Sequence, residues 1–286
     1  MRWRTGRQSS NVEDRRGRGG GGGGFRIGLL GTVAIVLIGW YMGANPLQLL
    51  GLVGGANTIL GGLGGGSSSQ SYTSDPNDEG GKFAASVLAS TEDVWNPVFQ
   101  QLGGRYVEPK LVLFTDSTES ACGYSSAATG PFYCPGDQKV YIDLGFFREL
   151  QGLGASGDFA QAYVLGHEIG HHVQNLMGTT DEVTRLQARM GERDSNTLSV
   201  ALELQADCFA GVWAHHAHKQ FNMLEQGDIE EAISAAGAIG DDRLQRMSGR
   251  RINPDSFTHG SSDQRMEWFQ RGLQSGDLKN CNSFGN

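Results

Sequence analysis

The chain has 286 residues, 44 of them glycine, and carries 23 basic against 31 acidic side chains for a net charge of −8. That length accommodates one full domain plus appendages. Glycine is concentrated in the run Gly19 to Gly24 and in residues 51–66, which excludes a uniformly globular chain and divides it into a tail, a linker and one domain.

Residues 1–26 hold seven arginines against only Glu13 and Asp14, leaving the remainder with a net charge of −13. A basic tail could be a nucleic-acid arm. The next stretch argues otherwise, because Ile27 to Ala44 contains no charged residue. A run of about 17–25 apolar residues crosses a bilayer, and Trp40 and Tyr41 at its far end suit the interface. A cleaved signal peptide fits less well, since Met42-Gly43-Ala44 lacks small residues at alternate positions. Residues 27–44 therefore read as a single transmembrane signal anchor. Residues 1–26 become a cytoplasmic tail rich in glycine and arginine, and everything downstream lies outside the cytoplasmic membrane. On this topology nucleic acid is not a partner.

Residues 45–80 form a Gly/Ser-rich linker, and residues 81–286 the domain. Within it, Val87, Val94 and Val98 sit at helical spacing and predict a helix over Phe83 to Leu102. LVLFTD (111–116) reads as a strand. GPFYCPGDQKVYIDL (130–144) reads as a hairpin turning at Pro135-Gly136-Asp137. Helical patterns follow over 157–177, 180–193, 196–219, 227–239 and 261–274. Strands first and helices after indicate an α+β fold. The cysteines at 122, 134, 208 and 281 all fall on the expected outer side, where two disulfides are permitted. Cys122 with Cys134 is the pairing expected, because they bracket one short segment. With no C-x-x-C spacing, a cysteine zinc site is not expected.

Residues 164–176 read VLGHEIGHHVQNL. At about 100° per residue, His167 and His171 share one helical face, whereas Ala162, Leu165, Ile169, Val173 and Leu176 share the opposite one. Glu168 flanks the histidine face, and His172 points away from the pair, toward an outer-shell or solvent position. This is the physical content of H-E-x-x-H: two imidazoles for zinc and a general base for its water. A catalytic zinc needs a third protein ligand. Residues 200–213, VALELQADCFAGVW, place Glu203 and Asp207 four apart on one face. Glu203 is assigned as third ligand and Asp207 as the acceptor that orients a ligating histidine. His215, His216 and His218 read as surface residues.

HEIGH followed by ELQAD resembles the gluzincin pattern H-E-x-x-H…E-x-x-x-D of CAAX-protease-type membrane enzymes. THGSSDQR (258–265) is similar to their T-H-P-x-x-x-x-R segment, with Gly260 in place of the proline. A closer resemblance, over about residues 75–285 and the N-terminal anchor, is to the neutral zinc metallopeptidase family of bacterial membrane-anchored proteins. ACGYSSAATGPFYCPGDQKVYIDLGFF, HEIGHHVQ and ELQADCFAGVWAHH carry it. The resemblance implies a zincin-like fold behind a single-pass anchor, His259 as an oxyanion-stabilising residue and Arg265 as a support for Asp207 or for the local fold. In zincins the edge strand before the metal helix binds the peptide by strand addition, and Lys139 to Asp143 is the candidate here.

The reading is a membrane-anchored zinc peptidase, with one Zn2+ held by His167, His171 and Glu203, and Glu168 and His259 doing the chemistry on a peptide or protein substrate. Manganese or cobalt would also suit that donor set. The alternative is a catalytically silent envelope protein that uses the scaffold for binding. Substrate identity and oligomeric state are not legible in the sequence.

Overall fold

The computed structural model describes residues 1–16 and 78–285, which belong to one compact unit of mixed α+β character. Strands β1 (Val12–Asp14), β2 (Lys110–Phe114), β5 (Phe132–Cys134) and β6 (Lys139–Asp143) form a sheet of order β1-β2-β6-β5. β1, β2 and β6 run parallel, and β5 returns antiparallel along β6. β3 (Ser117–Ser120) and β4 (Gly123–Ser126) make a separate hairpin.

The sheet is apolar on both faces, and the period-2 alternation shows how. Leu111, Leu113, Val140 and Ile142 enter the main core. Val112, Phe114, Tyr141 and Cys134 form a smaller cluster on the other side, where Phe132 stacks on Tyr141 at 4.8 Å. Against the main face lie α1 (Glu79–Gln101), opened by the Asp78 carboxylate capping the Gly81 N–H, and α3 (Asp158–Leu176). α2 (Phe146–Gly152) leads into α3. The remaining helices are α4 (Thr179–Gln187), α5 (Glu192–Phe221), α6 (Asp228–Ala238), α7 (Asp241–Met247) and α8 (Ser262–Ser275). α5 and α8 lie nearly backbone to backbone. A Cβ on Gly272 would stand 1.9 Å from the Cys208 carbonyl oxygen, and one on Gly211 would stand 2.1 Å from that of Phe269.

The disulfide expected between Cys122 and Cys134 is present, and Cys208 is joined to Cys281. The predicted hairpin over 130–144 is the β5–β6 pair. The predicted helices match α1, α3, α5, α6 and α8 to within a few residues at each end. The helix predicted over 180–193 stops at Gln187, and α5 begins at Glu192.

Two expectations are corrected. Lys139 to Asp143 is not an edge strand: β6 is paired on both sides, and the edge before the metal helix is β5. Nor is the basic segment a separate tail. Val12, Glu13 and Asp14 pair with Leu111, Val112 and Leu113, and Trp3 and Val12 are buried. Its arginines find partners in the domain: Arg7 meets Glu92 at 2.7 Å and Asp93 at 2.8 Å, and Arg16 pairs with Asp14 and Asp78. The Met1 amine lies 2.8 Å from Asp158 and 3.3 Å from Asp228. Strand pairing demands that residues 12–14 and 111–113 occupy the same side of any membrane, so a single crossing between them is incompatible with this sheet. Ile27–Ala44 itself lies outside the described residues. Among the described residues no helix is long and apolar enough to span a bilayer.

Candidate metal centre and cleft

α3 and α5 carry the centre, and small residues let them approach. A Cβ on Gly170 would stand 2.8 Å from the Ala206 carbonyl oxygen, so only glycine fits between the two metal-facing turns. The contact brings His167, His171 and Glu203 together. His167 Nε2 lies 3.2 Å from His171 Nε2 and 3.2 Å from Glu203 Oε2, and His171 Nε2 lies 3.4 Å from Glu203 Oε1. Donors about 2.0–2.1 Å from a tetrahedral zinc lie roughly 3.3–3.4 Å apart. The three residues therefore fit zinc as a His2Glu set, as the sequence assigned them, and their ligand atoms all lie within 4.8 Å of one another.

Each imidazole is held by its other nitrogen. His167 Nδ1 donates to Asp207 Oδ1 at 2.8 Å, and His171 Nδ1 donates to Gln174 Oε1 at 2.9 Å. Both Nε2 lone pairs are thereby left for an ion, the arrangement that fixes tautomer and ring orientation in metal sites. Asp207 is fully buried and is compensated by Arg265, whose Nε and Nη2 reach its two oxygens at 2.9 and 3.0 Å. The Tyr163 hydroxyl donates to Asp207 as well. Gln174 is held in turn by donating to the Leu202 carbonyl at 2.6 Å.

The electrostatics favour a cation. Burial alone would depress the His167 pKa, but the carboxylates of Asp207 and Glu203 raise it to about 10. Burial also works against His171, and Glu203 outweighs it to raise that pKa. Glu203 itself is held well below the usual carboxylate range by the two histidines despite burial. A pocket that so favours positive charge on its imidazoles is equally suited to a dication.

Glu168 and His259 line the same cavity of about 540 Å³ as His167, His171 and Glu203, together with Arg265. The Glu168 carboxylate accepts no hydrogen bond from the protein among the described residues. His259 stands on the loop before α8. Asp241 accepts the backbone N–H groups of Thr258, His259 and Gly260 on one oxygen and lies 3.4 Å from His259 Nδ1 with the other. That carboxylate outweighs the depressing effect of burial and raises the His259 pKa.

His172 does not face solvent. Its ring is fully buried, with Nε2 2.6 Å from the Val107 carbonyl oxygen and Nδ1 2.9 Å from the Tyr133 hydroxyl. Burial lowers its pKa to about 4, so it is neutral near pH 7. His215 and His216 donate to the carbonyls of Leu273 and Gly276 at the end of α8, away from the centre. Sequence reasoning missed Gln174, Tyr163 and Asp241. Only Gln174 left a local signal, three residues after His171 and so on the same side of α3.

Fold and site together bring the H-E-x-x-H and E-x-x-x-D segments into one candidate His2Glu metal-binding group. The family model described as "Putative neutral zinc metallopeptidase" matches residues 1–284, and the chain belongs to that family. It is 49% identical over 297 residues to YpfJ of Escherichia coli (strain K12), covering 100% of this chain and 99% of that protein. It is 42% identical over 206 residues to Rv2575 of Mycobacterium tuberculosis (strain H37Rv), covering 68% of this chain and 67% of that one. No solved structure matches it significantly.

Proposed function

We propose that the chain is a zinc-dependent peptidase of zincin type. The observation that carries this is the convergence of His167, His171 and Glu203 at tetrahedral donor spacing, with Glu168 beside them on the wall of one cleft. Zinc held by His167, His171 and Glu203 would supply Lewis-acid polarisation of the scissile carbonyl and would lower the pKa of the attacking water. Glu168 takes a proton from that water onto its carboxylate as oxygen bonds to the carbonyl carbon, then delivers it to the amine nitrogen as the C–N bond breaks. His259, with Nδ1 turned to Asp241, presents Nε2 for the negative charge that develops on the carbonyl oxygen.

The substrate is an extended peptide. Among the described residues β5 has one unpaired edge, and Gly130 to Tyr133 line the cleft beside the histidines, so strand addition is the natural docking mode. Apart from the residues assigned to the centre and Arg265, the lining is uncharged, with Phe132, Phe146, Val164, Leu202, Ile239 and Leu244 among it. Neutral, apolar segments suit it best.

Two disulfides suit an oxidising compartment. We place residues 1–16 there with the rest of the domain, with Ile27–Ala44 as the membrane-contacting segment but not as a single crossing.

The test is the full chain loaded with zinc and offered a diverse peptide pool, beside a Glu168→Gln control. One zinc per chain and cleavage by the wild type alone are expected. Zinc bound without cleavage by either protein would favour the silent binding scaffold. No bound zinc would overturn the ligand set.

A further inference from the structure

The motif HEIGHH ends in a histidine that the metal set does not use. His172 is buried between the edges of Tyr106 and Tyr133, whose ring centroids lie 5.5 and 5.3 Å from its own. Its Nε2–H donates to the Val107 carbonyl, so neutral Nδ1 is an acceptor. The Tyr133 O–H donates to it at 2.9 Å and accepts from Asn175 Nδ2 at 3.0 Å. His172 and Asn175 are three apart on α3, and together they grip one hydroxyl.

Tyr133 is the middle residue of β5. Its neighbours are held separately, Phe132 by stacking on Tyr141 and Cys134 by the bond to Cys122. Of the three anchors, only the tyrosine hydroxyl ties the strand to the metal helix, and it does so one residue from the ligand His171. Beside the backbone ladder to β6, this bond is what fixes the cleft edge against a single turn of α3.

We propose that His172 and Asn175 are positioning residues that act through Tyr133 to hold β5 at the height and register an incoming peptide strand requires. This rests on the peptidase reading above. Misplacing a substrate platform weakens productive binding while leaving the metal centre whole.

The test uses the zinc-loaded full chain, the best-cleaved member of a quenched-peptide pool, and three variants. Tyr133→Phe and His172→Leu remove the grip. His172→Gln retains a donor and an acceptor. For the first two, KM should rise by about tenfold, with kcat within about twofold of wild type. Zinc content should stay at one per chain, and amide exchange should quicken at residues 132–134 but not at 140–142. His172→Gln should recover most of the KM, a rescue that loss of core packing alone would not give. Unchanged KM in Tyr133→Phe would overturn the proposal, as would loss of zinc from that variant. If the wild type cleaves nothing, the peptidase reading fails on its own. The grip is then judged by exchange alone: quickening at 132–134 in Tyr133→Phe supports it, and unchanged exchange overturns it.

Discussion

Asp207 Oδ1 lies 2.8 Å from Nδ1 of His167, and the carboxylate that makes this bond has no solvent contact at all. It is satisfied instead by Arg265 and Tyr163, so a buried charge network stands directly behind one residue of the candidate metal set.

Replacing Asp207 by Asn keeps the shape but removes the charge that holds the His167 tautomer and balances Arg265. Zinc affinity should fall by about 10–100-fold, read by competition with a chromophoric chelator. Thermal stability should fall as well, because the arginine is left buried and uncompensated. Wild-type affinity in Asp207→Asn would remove the carboxylate from the account of the site.

Gln174→Leu should act on the other imidazole. With His171 Nδ1 losing its acceptor, zinc binding should weaken about tenfold or more, while Leu at the same helical position preserves most of the packing. Isothermal titration with zinc reads it. Glu168→Gln is the contrasting case: metal affinity close to wild type, and turnover lower by about 10²–10⁴-fold, the range of a general base.

The pair Asp241–His259 makes a prediction in pH. Because the carboxylate raises the His259 pKa, the imidazolium persists above the ordinary histidine value and is lost only as pH rises through the elevated one. If the cation stabilises the developing oxyanion, kcat/KM falls along that alkaline limb. Asp241→Asn should move the limb to lower pH, and His259→Ala should abolish it. A profile whose alkaline limb is the same in all three proteins would exclude His259 from the chemistry.

Glu13 ties the N-terminal strand into the sheet. Burial alone would raise its pKa, but hydrogen bonds and charge from Lys139 and Arg15 prevail and hold it at about 2. The folded state therefore gains stability from the ionised carboxylate above about pH 4.5, and loses it as pH falls toward 2. Allowing for solvent screening of Lys139 and Arg15, the contribution is on the order of 1–2 kcal/mol. Glu13→Gln should lower the urea midpoint at pH 7 and flatten its decline between pH 4.5 and 2.5.

Much of the metal centre was legible in the sequence because its elements are local. His167 and His171 share a face by helical period, and the same arithmetic pairs Glu203 with Asp207 on α5. Their union across two helices was inferred from ligand number, and Gly170 against Ala206 is what realises it. Asp241 and Tyr163 were not legible, since they reach their partners over 18 and 44 residues and have no periodic signature. β1 was hidden for a different reason. A three-residue strand with Val12 as its one apolar side chain shows no alternation, and the arginines around it suggest a solvated tail. Lys139 to Asp143 is expected as the edge only because it is the last strand before α3, and sequence order does not reveal how many neighbours a strand has.

The pairing of Val12 with Leu111 also constrains how the molecule is born. Residues made at the start of synthesis must wait for partners made about a hundred residues later, and non-local parallel pairing of this kind is slow to form. Until β1 arrives, the Lys110–Phe114 strand presents an open apolar edge, the kind of surface on which chains associate wrongly. A shortened protein beginning near residue 81 would carry every metal ligand and still lack the strand that closes its sheet. Aggregation of such a fragment would report on that open edge and not on the zinc centre.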